Sequence, residues 1–247
     1  MRYYLLACLT CLATASFGRA DFITVNGFNN NTPATVSFDL GGGMSGVVNT
    51  NLTQFNATYN APGTNVTFDT FSVDLLHTVS AGQTYLVNPR NDVASAFANG
   101  SRMAFIYQNF GTEDLTNNPD QAAAIQIALW DLLSNHNPTS FGLDADGTYS
   151  SGDESVFNVS FGSNPDATQI AALVDHYLKK STGSTAQGDW LDAAPAGNAP
   201  NRGESVLFPI PAPSSILLVL VALGALATNL VARRTAKARS RSLRPSW

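Results

Sequence analysis

Apolar and polar residues alternate in short runs through the first part of this chain, and near residue 92 the spacing becomes helical. From Asp21 to about Gly63 the chain is rich in Asn, Thr and Gly. Within Ala34-Thr35-Val36-Ser37-Phe38-Asp39-Leu40, the apolar Val36, Phe38 and Leu40 share a parity. That is the pattern of a strand with one buried face, and Gly41-Gly42-Gly43 ends it. Val66-Thr67-Phe68 starts a second β segment. Its apolar parity flips to Phe71, Val73 and Leu75, which predicts a bulge or a strand end near Thr70. Gln83 to Val87 reads as another short strand, stopped by Asn88-Pro89.

The spacing then predicts helices. Asp92 to Ala98 and Ser101 to Asn109 form a pair broken at Asn99-Gly100. Asn118-Pro119-Asp120-Gln121 offers an N-cap, a proline at the first helical position, an acid in the first turn and a capping-box glutamine. Asn164-Pro165-Asp166 repeats that start before a helix over Ala167 to Lys180, whose closing lysines suit a helix C-terminus. In the first of these two helices Ala122, Gln126, Leu129 and Leu133 mark a buried stripe, with Trp130 one turn from Gln126. A glutamine on such a stripe needs hydrogen-bond partners, so Gln126 is expected to anchor the helix to a neighbouring strand. Asn135 to Ser155 reads as a polar loop and Val156 to Phe161 as a strand. The Gly/Ala/Pro-rich stretch from Lys180 to Asn201 reads as loop or linker pinned by Trp190 and Leu191, and Val206-Leu207-Phe208 as a last strand. Strands first and helices gathered later give the fold class α+β.

Both ends carry targeting patterns. Met1-Arg2-Tyr3-Tyr4 opens an apolar stretch, Leu5 to Ala15, followed by small residues, so residues 1–20 are expected to be a secretory leader cleaved after Ala15 or Ala20. A lipoprotein leader ending at Cys8 is the competing reading. At the other end Pro211-Ala212-Pro213-Ser214-Ser215 leads into the apolar run Ile216 to Ala232, and Arg233-Arg234 begins a basic tail. Seventeen helical residues span about 26 Å, at the lower end of what crosses a hydrocarbon core of about 30 Å. Losing the leader removes Cys8 and Cys11, the only cysteines. The remaining domain, Asp21 to Phe208, then needs an ordinary core in place of disulfides.

Charge sharpens this picture. All eighteen acids lie between Asp21 and Glu204, where the only cations are Arg90, Arg102, Lys179, Lys180 and Arg202. Eighteen acids against five cations give that part a net charge of −13, while the tail past the apolar run is purely cationic. The positive-inside tendency then expects a cytoplasmic tail and an acidic domain outside the membrane. So acidic a domain is unsuited to phosphate contacts, which excludes nucleic acid as a partner.

Phe71-Ser72-Val73-Asp74-Leu75, Gly82-Gln83-Thr84-Tyr85, Arg102 to Tyr107 and Gln126-Ile127-Ala128-Leu129-Trp130 together resemble the thioester-type surface domain over about residues 67–180. In active members of that family a cysteine and a glutamine join in an internal thioester that a target amine opens. The resemblance makes Ser72 and Gln126 the family-equivalent pair, supported by Asp74, His77 and Trp130. Ser72 stands where the cysteine would be, so a reactive thioester is excluded, while an ester between Ser72 and Gln126 formed with loss of ammonia stays open. The C-terminal pattern is similar to the bacterial PEP-CTERM sorting signal, through Pro211, Pro213, Ser214, Ser215, Arg233 and Arg234, with Ala212 at the usual glutamate position. That resemblance implies export, retention by a transmembrane helix over 216–232, and processing by a dedicated sorting protease. A plain membrane anchor is the alternative.

Other chemistry is thinly represented. Asp144-Ala145-Asp146-Gly147 with Asp153 and Glu154 offers a weak calcium site, although Gly147 stands fourth from Asp144 where the helix-loop-helix calcium motif wants a sixth-position glycine. No other cofactor is expected. His77, His136 and His176 share no zinc-ligand spacing. The expected role is a non-catalytic interaction or adhesion protein of the bacterial envelope, with extracellular polysaccharide or a surface protein as partner. A covalent adhesin and a secreted hydrolase using Ser72, Asp74 and His77 are the alternatives.

Overall fold

Four strands follow one another from the start of the described chain: β1 (Asp21–Phe28), β2 (Thr32–Asp39), β3 (Ser45–Leu52) and β4 (Phe55–Ala61). The computed structural model describes residues 21–40, 44–61, 64–75, 79–90, 92–135, 137–152, 156–193 and 205–208, all in the first of two units into which the chain divides, Met1–Pro209. The expected leader over 1–20, the expected sorting pattern and the apolar run 216–232 lie outside the described residues. No helix among the described residues is long and apolar enough to cross a membrane.

The four strands form one long antiparallel ribbon that is bent in the middle. β2 pairs with β3 from Thr32↔Leu52 to Asp39↔Ser45, and β1 pairs with β4 from Phe28↔Phe55 to Phe22↔Asn60. Between those two blocks lie only Asn29–Asn31 on one arm and Thr53–Gln54 on the other. At this kink the ribbon leaves one sheet and enters another. β1 and β4 belong to a six-stranded sheet in the order β11-β10-β6-β1-β4-β5, with β5 (Thr64–Thr70), β6 (Thr84–Arg90), β10 (Asp189–Ala193) and β11 (Val206–Phe208). The other half joins a five-stranded sheet, β3-β2-β9-β8-β7, with β7 (Gly142–Leu143), β8 (Tyr149–Ser150) and β9 (Phe157–Ser160). In β2 the residues Thr32, Ala34, Val36 and Phe38 are buried and their neighbours are not, as the alternation predicts.

The helices are α1 (Val93–Ala96), α2 (Gly100–Ile106), α3 (Pro119–Ser134) and α4 (Ala167–Ser181), with a π-helical turn at Tyr107–Gly111 continuing α2. α3 departs from the expected single stripe, since every residue from Ala122 to Leu132 is buried. Its sides are alanine, isoleucine and leucine all round, so it can pack on β2 and β3, on α2 and on α4 at once. The capping expectation at its start is half met. Asn118 holds the N-cap position and Pro119 the first turn, but the Asn118 side chain makes no cap bond, and Gln121 Nε2 donates to the Phe110 carbonyl instead. At α4 the N-cap is Asp166, while Asn164, two residues earlier, accepts from the Asp166 N–H through its Oδ1.

Three further segments differ from the pattern reading. β6 runs through Asn88-Pro89 to Arg90, because β1 leaves it at Val87 and only β10 pairs with the remainder, so Pro89 sits where one edge is open. The polar stretch after α3 contains the small β7–β8 hairpin, turned at Gly147 with φ 88°. Asp189–Ala193, inside the Gly/Ala/Pro-rich stretch, is a strand, pinned by buried Leu191 and by Trp190 edge-on to Phe97 at 5.0 Å. The strand end foreseen near Thr70 is where β5 stops. Strands and helices together make an α+β fold.

Candidate functional site

Beyond β5 the chain stays extended and lies against β11. Val73 N–H donates to the Ser205 carbonyl at 2.8 Å, Leu207 N–H to the Phe71 carbonyl at 3.4 Å, and Thr70 Oγ1 to the Leu207 carbonyl at 2.5 Å. Ser72 and Val206 face each other across this short antiparallel bridge. The bonds of the bridge use the residues on either side of Ser72, so its own N–H and C=O point away from β11.

Gln126 of α3 takes both. Its Oε1 accepts from the Ser72 N–H at 3.2 Å, and its Nε2 donates to the Ser72 carbonyl at 2.8 Å. The side-chain amide thus stands in for a neighbouring strand's peptide group and joins the central helix to the sheet. Ser72 Oγ is turned into its own loop, donating to the Asp74 carbonyl at 2.8 Å and accepting from the Asp74 N–H at 3.0 Å. Both residues are buried, Ser72 at 4% and Gln126 at 2% exposure. The structure therefore brings Ser72 and Gln126 together, with Trp130 one turn along. Asp74 joins them through its main chain, and His77 lies outside the described residues.

Ser72, Gln126, Trp130 and Phe55 form the buried lining of a cleft of about 490 Å³. Its outer lining comes from the ribbon: Asn30, Asn31 and Thr53 at the kink, and Asn49–Asn51 along β3, which is the edge of its sheet. Phe28 adds a half-exposed aromatic ring, edge-on to Phe55 at 6.4 Å. Among the described residues, none lining the cleft carries a charge. The indole Nε1 of Trp130 is buried and has no hydrogen-bond acceptor among the described residues.

Gln54 holds the kink in shape. It is fully buried, and its Nε2 donates to the carbonyls of Gly111 and Glu113 at 3.0 and 2.7 Å. Its Oε1 accepts from the Leu115 N–H at 2.9 Å and from Asn29 Nδ2 at 2.8 Å. Asn30 adds a bond from its Nδ2 to the Leu115 carbonyl at 3.2 Å, and its Oδ1 accepts from the Gln54 N–H at 3.0 Å. The wall of the cleft is thereby locked to the loop that follows the π-helical turn. Sequence reasoning missed this network. Its only trace is the run Asn29-Asn30-Asn31 and the pair Thr53-Gln54 between alternating segments, which read as turns.

A second buried polar group lies at the far end of α3. Asp131 is fully buried; Ser151 Oγ donates to its Oδ1 at 2.9 Å, Asn135 Nδ2 donates to the same oxygen, and Oδ2 has no partner among the described residues. Burial pushes this carboxyl up to about 7, against the opposing pull of those hydrogen bonds and of the Arg102 charge. Arg102 is itself buried, held by the carbonyls of Pro138 and Leu178 at 2.7 and 2.8 Å. Burial lowers the affinity of its guanidinium for the proton, and the Asp131 charge counters that.

The proposed calcium loop is the β7–β8 turn. Asp146 Oδ1 is already occupied by the Thr148 N–H at 2.9 Å and hydroxyl at 2.8 Å, and those bonds hold its carboxyl below the usual range. Asp144 donates its N–H to the Thr148 carbonyl at 2.8 Å, and Asp153 and Glu154 lie outside the described residues. Among the described residues no group of three or more His, Cys, Asp or Glu is placed to hold a metal ion. Compared with protein-family models, with curated proteins and with solved structures, the chain matches none.

Proposed function

We propose that this chain is an exported, membrane-anchored or surface-sorted interaction protein of the bacterial envelope or matrix, whose acidic α+β domain works without catalysis. In this reading residues 1–20 direct export and the segment 216–232 with its arginines retains the chain at the membrane. A sorting protease then acts at the Pro211–Ser215 pattern, and the domain is a thioester-type relative that has lost its cysteine. The observation that carries the non-catalytic part is the state of Ser72. Its hydroxyl is committed to the Asp74 main chain, donating to the carbonyl and accepting from the N–H, so it is held in its own loop and not presented as a nucleophile.

Contact between Ser72 and Gln126 favours one second reading, the internal ester. Intact mass of the protein recovered from its native host separates the two. The non-catalytic reading expects a mass reduced only by the leader and by any tail processing. A further loss of one ammonia, with a cross-linked Ser72–Gln126 peptide, would replace it with the covalent reading. Fractionation of the same cells tests location, and recovery of the chain from the cytosol alone would sink the exported reading.

A further inference from the structure

We propose that the cleft between the ribbon kink and α3 binds an uncharged glycan, which names the ligand class for the surface-interaction role proposed above and rests on that reading. The lining has the chemistry of such a ligand. Its described residues combine neutral amides, hydroxyls and three aromatic side chains with no ionisable group, although the sequence around it carries eighteen acids. Sugars present many hydroxyls of both hydrogen-bonding senses and apolar ring faces, and need no counter-charge.

Two sets of groups are present in the cleft. The first is structural: Gln126, Ser72 Oγ, Asn30 and Thr53 are engaged within the protein. The second is unengaged. The side chains of Asn31, Thr50 and Asn51 and the indole N–H of Trp130 have no hydrogen-bond partner among the described residues. The first three are open to solvent, but the Trp130 N–H is buried, and leaving such a donor unpaired is unfavourable. A hydroxyl or acetamido oxygen of a sugar supplies that acceptor. Phe28, half exposed beside buried Phe55, offers the apolar face on which a pyranose ring rests. A cleft of about 490 Å³ falls within the range of small-ligand sites.

A peptide is the competing occupant, because β3 is a sheet edge with open main-chain groups. Peptide addition to an edge relies on the main chain and on side-chain pockets that alternate along the strand. Here the unengaged groups are polar side chains at the kink, on α3 and on the edge, so the glycan is favoured.

The test is titration of the full chain with cellohexaose, the hexamer of N-acetylglucosamine and acidic polygalacturonate, followed by calorimetry. At least one neutral oligosaccharide is expected to bind, and its affinity to be indifferent to added salt. Trp130→Phe keeps a ring and removes the N–H, and should weaken that binding by about tenfold. The paired substitution Asn31→Ala and Asn51→Ala alters only exposed side chains and should weaken it similarly with an unchanged melting temperature. Binding that both variants leave untouched, binding of polygalacturonate alone, or binding of an unstructured peptide alone would each overturn the glycan site. Attachment of the purified chain to host cells is measured in parallel. Attachment without neutral-glycan binding overturns this site and leaves the surface role standing, whereas no attachment removes the surface role itself.

Discussion

Gln126 is the residue on which most of the local structure turns. Replacing it with leucine removes both partners of the Ser72 main chain, and an unpaired buried group costs about 1–3 kcal/mol each. Urea denaturation should therefore show a loss of a few kcal/mol for Gln126→Leu. Gln126→Glu keeps the acceptor but buries a carboxylate whose second oxygen faces the Ser72 carbonyl, so at neutral pH it should destabilise at least as much as leucine and recover as pH falls. The need for partners was legible from the sequence, because a glutamine inside an apolar helix cannot be left bare. What it meets was not, because the partner is a main chain, whose position only the fold defines. Asp131 was legible in neither respect. Its carboxyl is raised to about 7 in the folded chain, against about 3.9 in an unfolded one. The folded state therefore binds a proton that the unfolded state has released, and the stabilisation is complete below about pH 4 and lost as pH rises through 7. Denaturation midpoints should fall between about pH 4 and pH 7, and Asp131→Asn should flatten that slope.

Among the elements, α3 best illustrates what pattern reading could and could not deliver. Its length, its start at Pro119 and its place in an α+β fold followed from periodicity and proline, yet the single stripe was an underestimate. Small alanines read as neutral on a helical wheel, but in the molecule they let neighbours approach from every side. Short strands were harder. β7 and β8 have two residues each, too few for alternation to register, and β10 is set by its pairing with β6 about a hundred residues away. The break between α1 and α2 was visible at Asn99-Gly100, and its reason is steric. A Cβ on Gly100 would lie 1.9 Å from the Val93 carbonyl oxygen, inside any tolerable contact. Gly100→Ala should therefore destabilise by at least the upper end of the usual overpacking range, about 3 kcal/mol, read from thermal melts. Gly188→Ala, whose Cβ would come within 2.9 Å of the Ala104 methyl, should also destabilise because that methyl moves only with its backbone, but by less, since the overlap is smaller.

At the scale of the whole molecule, the cleft exists because two sheets share one ribbon. Gln54 secures that arrangement through four side-chain hydrogen bonds, so Gln54→Ala should loosen residues 111–115 and speed amide exchange there before it lowers global stability. The candidate pair Ser72 and Gln126 was named from the sequence, but the cleft around it was not. Its other wall comes from residues 28–55, where no chemistry-bearing motif stands out. The ribbon also bears on how the chain reaches its native state. Because β2–β3 nests inside β1–β4, each new pair from the tip outward closes only a slightly longer loop, so little entropy is lost per step. β10 and β11 must instead find β6 and Ser72 across more than a hundred residues, and contacts of that span slow folding. The kinked ribbon should thus form early and the β10–β11 edge late, which places the closing of the Ser72 wall among the last events of folding.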